Sequence, residues 1–225
     1  AGGIGGALVL TYTGEDMLLP EGQTPDAVSA NYAELLLAAS PGDDARRVEL
    51  VELLTYLGEY DRARQHLLAW PEPDRDEAAY LALHITISQA LSSNVPGRLV
   101  EARTLLQQFD SGALSATRQL RLAQDALKLE LPLVAADLYR RLASQDPERQ
   151  AAFLEQSASW YLAGNQPALA AQVYLELLQS TDETVPRHLL VRRAYDGLVA
   201  AGQQAEDQLH AAAKKYEGKF ICVVE

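Results

Sequence analysis

A chain of 225 residues, 48% apolar and 22% charged, can bury a core of its own, which excludes the disordered, collagenous and disulfide-scaffold classes. Its 19 Lys and Arg stand against 31 Asp and Glu, and the resulting charge of −12 opposes the counterion release that drives nucleic-acid binding. A lone cysteine, Cys222, can form neither an internal disulfide nor a Cys-rich zinc site.

Residues 1–24 read as a flexible, Gly-rich and acidic segment. Its apolar patch, Ile4 and Ala7 to Leu10, is far short of the roughly 20 residues that span a bilayer. The Gly2-Gly3-Ile4-Gly5-Gly6 run has no preceding strand and no phosphate-loop ending, so it predicts no nucleotide site. Residues 1–45 hold seven acidic residues and no Lys or Arg. Such a flank is expected on the non-cytoplasmic side of a membrane helix if one precedes it in a longer chain; otherwise it is a solvated tail. Any membrane link would thus run through a segment outside this chain.

The predicted helices begin with Pro25 to Ala39, capped by Asp26 and stopped by Ser40-Pro41. Next, Val48, Leu50, Val51, Leu53, Leu54 and Leu57 fall at helical spacing, with Gly58 where a helix end needs a left-handed residue. Ala63, Leu67, Leu68 and Trp70 mark a second stripe, ended by Pro71 and Pro73. A longer pair runs from about Asp74 to Phe109, turning at Asn94-Val95-Pro96-Gly97. Ser115 caps a third pair that turns at Leu131-Pro132, and Asp146-Pro147 separates it from a fourth, which carries Trp160, Tyr161 and Gly164. A fifth pair is expected from about Thr184 to Ala201 and from Gln203 to Tyr216. Phe220 to Val224 alone carries a strand-like pattern.

These pairs repeat. Pro132, Ala135, Ala136, Tyr139 and Leu142 recur as Pro167, Ala170, Ala171, Tyr174 and Leu177, an offset of 35 residues. Gly58 aligns with Gly164 at about three such periods, and Ala201-Gly202 opens the phrase again. Self-similarity at this spacing means stacked supersecondary units.

The repeated phrases resemble tetratricopeptide repeats. The first unit matches at Leu50, Gly58, Tyr60, Ala63 and Leu67, the third at Leu122, Ala123, Ala135, Tyr139, Leu142 and Pro147, and the fourth at Gly164, Ala170 and Tyr174. The resemblance implies an all-α, right-handed superhelical solenoid of about five antiparallel helix pairs plus a leading helix over residues 25–217, with 218–225 as a short tail. The phrase Asp26 to Leu36 leading to Ser40-Pro41 is also similar to the periplasmic repeat region of PelB-like exopolysaccharide export proteins. That likeness implies a periplasmic scaffold holding a polysaccharide-modifying deacetylase near an export pore, with polysaccharide as a further ligand; a cytoplasmic adaptor is the alternative.

Catalytic constellations are absent from the sequence. His66, His84, His188 and His210 are scattered with no HExxH spacing, so no metal or cofactor is expected. Asp74, Asp76 and Glu77 fall at a helix start, where carboxylates cap. Trp70 and Trp160 sit at core positions. The expected function is a non-enzymatic scaffold that binds another protein. Carrying the repeat resemblance over by position gives Glu52, Thr55, Tyr56, Gln124, Lys128, Ser159 and Leu162 as partner-binding residues. Two other readings are a polysaccharide-binding guide using Tyr56 and Trp160, and a helical-toroid glycan-processing enzyme using Glu52 or Glu155.

Overall fold

The computed structural model describes residues 26–71, 73–93, 95–179 and 187–202. Among them lie ten helices and no strand: α1 (Ala27–Ala39), α2 (Asp44–Tyr56), α3 (Tyr60–Leu68), α4 (Arg75–Ser93), α5 (Pro96–Gln108), α6 (Ala116–Lys128), α7 (Pro132–Gln145), α8 (Gln150–Ala163), α9 (Pro167–Gln179) and α10 (Arg187–Ala200). The expected N-terminal segment, the second helix of the fifth pair and the strand-like tail with Cys222 lie outside the described residues.

Local chemistry accounts for the helix boundaries. Asp26 Oδ1 accepts from the Ser29 amide at 2.9 Å, Asp43 Oδ1 from Arg46 at 3.0 Å, and Asp74 Oδ1 from Glu77 at 2.9 Å. Each satisfies an amide that the first helical turn leaves unpaired. The acidic cluster at Asp74 is therefore a cap. Pro96, Pro132 and Pro167 open α5, α7 and α9, where a missing amide donor costs nothing.

The chain divides into two compact units between Ser88 and Gln89, inside α4. In the first, α1 packs on α2 and α2 on α3. Leu50, Val51 and Leu54 of α2 are fully buried, as are Ala63 of α3 and Tyr80, Leu81 and Ile85 of α4. Trp70 is buried as expected, whereas Leu68, placed on the same stripe by the sequence, is 85% exposed because α3 ends there. The Tyr60 hydroxyl donates to the Ser88 carbonyl at 3.2 Å and ties α3 to α4.

A polar cluster joins α1 to α3. Glu34 accepts from Arg62 at 2.7 Å and lies 2.8 Å from His66 Nε2. Burial pushes the Glu34 carboxyl up, but the hydrogen bonds from His66 and Arg62 outweigh it and hold the group below its ordinary value. A depressed folded pKa contributes stability above the unfolded value of about 4.3, and that contribution is lost as pH falls through the lower folded value. The protection factors of the α1 amides, corrected for the intrinsic pH dependence of exchange, should therefore fall on acidification below about pH 4, and Glu34→Gln should abolish that fall. Equal pH profiles for the two proteins would show that the cluster does not hold α1.

In the second unit, α6 to α9 each pack on the next helix in sequence, the pattern of a helical-pair solenoid. The second helices bury two faces: α7 through Ala135, Ala136, Leu138, Tyr139 and Leu142, and α9 through Ala170, Ala171, Val173, Tyr174 and Leu177. Small residues recur at 135/136 and 170/171 because neighbouring helices come close there. The offset of 35 thus reports equivalent packing places.

Candidate functional site

Among the described residues, φ is positive at Gly58 (79°), Glu130 (59°), Asn165 (57°) and Gly202 (67°). Each closes a first helix, namely α2, α6, α8 and α10. At three of them the following amide bonds back to the carbonyl five residues earlier: Glu59 to Leu54 at 2.9 Å, Leu131 to Ala126 at 2.8 Å, and Gln166 to Tyr161 at 2.8 Å. This is one helix-ending motif used repeatedly, and it sets the repeat register.

It also corrects that register by one residue. Gly58 corresponds to Asn165, not Gly164, whose φ is −84°. Gly164 is small for another reason: a Cβ there would lie 2.3 Å from Leu133 Cδ2. The glycine leaves space for α7.

Counting back from each left-handed residue separates surface from core. Eight residues before it stand Leu50, Leu122, Ser157 and Ala194, all buried, and four before it stand Leu54, Ala126, Tyr161 and Leu198, also buried. At thirteen, nine, six and two residues before it, every side chain is exposed or half-buried. On α2 these are Ala45, Glu49, Glu52 and Tyr56. On α6 they are Thr117, Arg121, Gln124 and Lys128, and on α8 Ala152, Gln156, Ser159 and Ala163. On α10 they are Leu189, Arg193, Asp196 and Ala200. Each of these four helices therefore carries a four-residue stripe open to solvent.

Most of the sequence-predicted binding residues fall on these stripes. Glu52, Gln124 and Ser159 share one row, and Tyr56 and Lys128 share another. Leu162 lies beside the stripe and is 47% exposed. Thr55 does not face a partner: it is 3% exposed and its Oγ1 donates to the Val51 carbonyl at 2.7 Å. A helix turns 100° per residue, so one step from Tyr56 crosses from surface to core. The sequence reading omits the row Glu49, Arg121, Gln156 and Arg193, which spacing by three from Glu52, Gln124 and Ser159 would have supplied.

The stripes differ in charge between the units. In the first unit α2 presents Glu49 and Glu52. In the second, Lys128 pairs with Asp125 at 2.8 Å, Arg193 with Glu155 at 3.5 Å, and Arg192 with Asp196 at 3.9 Å. The Arg193 guanidinium also sits over the Tyr174 ring at 5.7 Å, a contact that restrains its orientation.

Away from these stripes, α7, α8 and α9 enclose a cleft of about 950 Å³ lined by Asp137, Arg140, Arg141, Ser144, Tyr161 and Glu176 among others. Arg141 donates to the Ser111 hydroxyl at 2.9 Å, and the other charges are met within the cleft. Arg140 grips Glu176 with two hydrogen bonds, at 2.6 and 3.2 Å, and Tyr161 donates to Asp137. Burial, then the Asp137 hydrogen bond, pushes the Tyr161 hydroxyl up to about 12. Such a phenol keeps its proton at neutral pH and serves as a donor, not as a base.

Neither Glu52 nor Glu155, the carboxylates considered for hydrolysis, lines this cleft. His66 is paired with Glu34, His84 stacks on Tyr80 at 5.9 Å, and His188 is exposed. Among the described residues, no three His, Cys, Asp or Glu side chains gather where they could hold a metal ion, and no helix is long and apolar enough to cross a membrane. Trp160 is half-buried, with its Nε1 buried.

The tetratricopeptide repeat family profile matches residues 18–84, which include α1, α2, α3 and the first half of α4. No curated protein matches the chain.

Proposed function

We propose that the chain, whose residues 18–84 match the tetratricopeptide repeat family, is a non-enzymatic scaffold that binds another protein through the solvent-facing stripes of its first helices. The observation that carries this reading is the recurrence of four open rows in α2, α6, α8 and α10 beside rows that are buried in all four. A surface repeated on successive helix pairs, as on α6, α8 and α10 of the second unit, suits an extended partner, since similar contacts can be made once per repeat. The charge-balanced cleft on α7, α8 and α9 offers no comparable run of open positions.

A photo-crosslinking side chain at Tyr56, Gln124 or Ser159 in cells of the source organism tests the proposal. Each is expected to trap the same protein, and a crosslinker at Ser144, in the α7 cleft, is not. Capture from Ser144 with none from the stripes would move the binding face to the second helices. The place of action we infer is the outer side of a bacterial inner membrane, supported by the lack of Lys and Arg in residues 1–45 and the likeness of the Asp26 to Leu36 phrase to exopolysaccharide export proteins. Cell fractionation of the protein expressed from its native gene decides this; recovery with the cytosol would sink it.

A further inference from the structure

Helix α1 is apolar on two sides. Ala30, Ala33 and Leu37 are buried in the first unit, while Val28, Tyr32 and Leu35 are 73, 54 and 69% exposed. With Ala39, also exposed, these three fall at i, i+4, i+7 and i+11, which makes one stripe along the helix. The polar groups of α1 are engaged elsewhere. Glu34, its one charged residue, pairs with Arg62 and His66 of α3, and Asn31 accepts from Arg62 at 3.0 Å. By contrast, the exposed positions of α7 and α9 hold Asp137, Arg141, Ser144, Gln145, Gln172 and Gln179, with Leu133 the one apolar exception. A helix apolar all round is a helix that is covered, and an open patch of this kind marks a docking surface.

Charge, spacing and area all fit this face to a second copy of the chain. Each copy carries −12, so two copies approach with least repulsion through a surface that has no charged side chain at its centre. The spacing is complementary to itself. A two-fold axis crossing antiparallel helices midway between Val28 and Leu35 sets Val28 against Leu35 of the partner subunit and brings the two Tyr32 rings together. An aromatic pair then occupies the centre, with aliphatic contacts on both sides of it. The exposed parts of Val28, Tyr32, Leu35, Ala38 and Ala39 come to roughly 500 Å² on each copy, and the total of about 1,000 Å² reaches the lower bound of a specific interface.

We propose that two copies of this chain associate through α1, with Tyr32 at the centre of the contact and Val28 and Leu35 on its flanks. The α1 residues are not those of the α2 stripe, so the dimer and the scaffold reading stand or fall separately. A dimer carries every first-helix stripe twice, which allows a partner with repeated motifs to bind with avidity.

Sedimentation velocity on the full chain, over concentrations from about 1 to 300 µM, tests the proposal. The average mass is expected to rise from that of one chain toward that of two. Raising the salt from about 0.02 to 0.3 M should tighten the dimer, because screening weakens the repulsion between two acidic copies while the apolar contact remains. Tyr32→Glu places two like charges at the axis and is expected to weaken association by at least about tenfold. Leu68→Glu, at an equally exposed leucine on α3, should leave it within about twofold. Circular dichroism of both variants separates lost association from lost folding. In a Cys222→Ser background, Tyr32→Cys should form a disulfide between two chains on mild oxidation, and Leu68→Cys should not.

A dimer that survives Tyr32→Glu, or that Leu68→Glu weakens equally, would overturn the proposal. So would a chain that stays monomeric at every concentration and salt. In that event a fall of several degrees in melting temperature on Tyr32→Glu would assign the face to another segment of the same chain, and an unchanged melting temperature would leave it to a different protein.

Discussion

Replacing Gly197 by valine is expected to destabilise the second unit by about 2–3 kcal/mol, the usual penalty for forcing extra methyl groups into a packed contact. Gly197 is buried in α10, and a Cβ built on it would lie 2.9 Å from the Pro167 carbonyl oxygen and 3.0 Å from the Ala171 Cβ. Neither neighbour is the free end of a flexible side chain. Pro167 opens α9 and Ala171 follows one turn later, so α10 lies against the first turns of α9 at this point. Gly197→Ala adds one methyl group and gains about 1 kcal/mol of helix propensity, so the two effects should nearly cancel. The measurement is the denaturant midpoint of the three proteins. A neutral valine substitution would mean that α10 does not rest on α9 at Gly197, and the α10 stripe would then lose its fixed orientation on α9.

Leu122→Ala should cost about 2–5 kcal/mol, the range for truncating a leucine in a packed interior. Leu122 is fully buried in α6, eight residues before the left-handed Glu130. The equivalent places hold Leu50, Ser157 and Ala194, each likewise fully buried. Residues of such different volume can fill one structural place only if the neighbouring helix supplies complementary bulk, so the void left by alanine in α6 has no ready filler. At Ser157 the hydroxyl instead donates to the Ala136 carbonyl at 2.9 Å, which shows how a polar residue is accommodated there. Leu68→Ala is the matched control: at 85% exposure it should change stability by less than about 0.5 kcal/mol. Equal effects at Leu122 and Leu68 would remove the distinction between core and open rows on which the binding face depends.

The rows also explain why the binding residues could be partly read from the sequence. Glu52, Gln124 and Ser159 occupy one row because the first-helix phrases repeat with enough apolar spacing to fix which face is buried. Thr55 was beyond that resolution, since a threonine serves equally well as a surface donor and as a buried residue bonded to its own helix at Val51.

Asp26, Ser115, Pro132 and Pro167 were legible as helix starts, and Ser40-Pro41 as a stop, because caps and prolines act through their own backbone and need no distant partner. The 35-residue recurrence likewise announced stacked pairs. Three features depended on the folded chain. Glu130 and Asn165 take the left-handed conformation that a sequence reader assigns to glycine, and they do so because the helix-ending hydrogen bonds to Ala126 and Tyr161 hold them there. Gly164 leaves space for Leu133 and is not the left-handed residue, a matter of approach between α7 and α8. Arg47 and Gln119, both eleven residues before a left-handed residue, are buried polar side chains that reach back to the carbonyls of Pro41 at 2.6 Å and Leu114 at 2.9 Å. Local backbone preferences set where helices begin and repeat; the meeting of surfaces from separate helices decides which polar groups are buried, which glycines are spacers and which rows stay open to a partner.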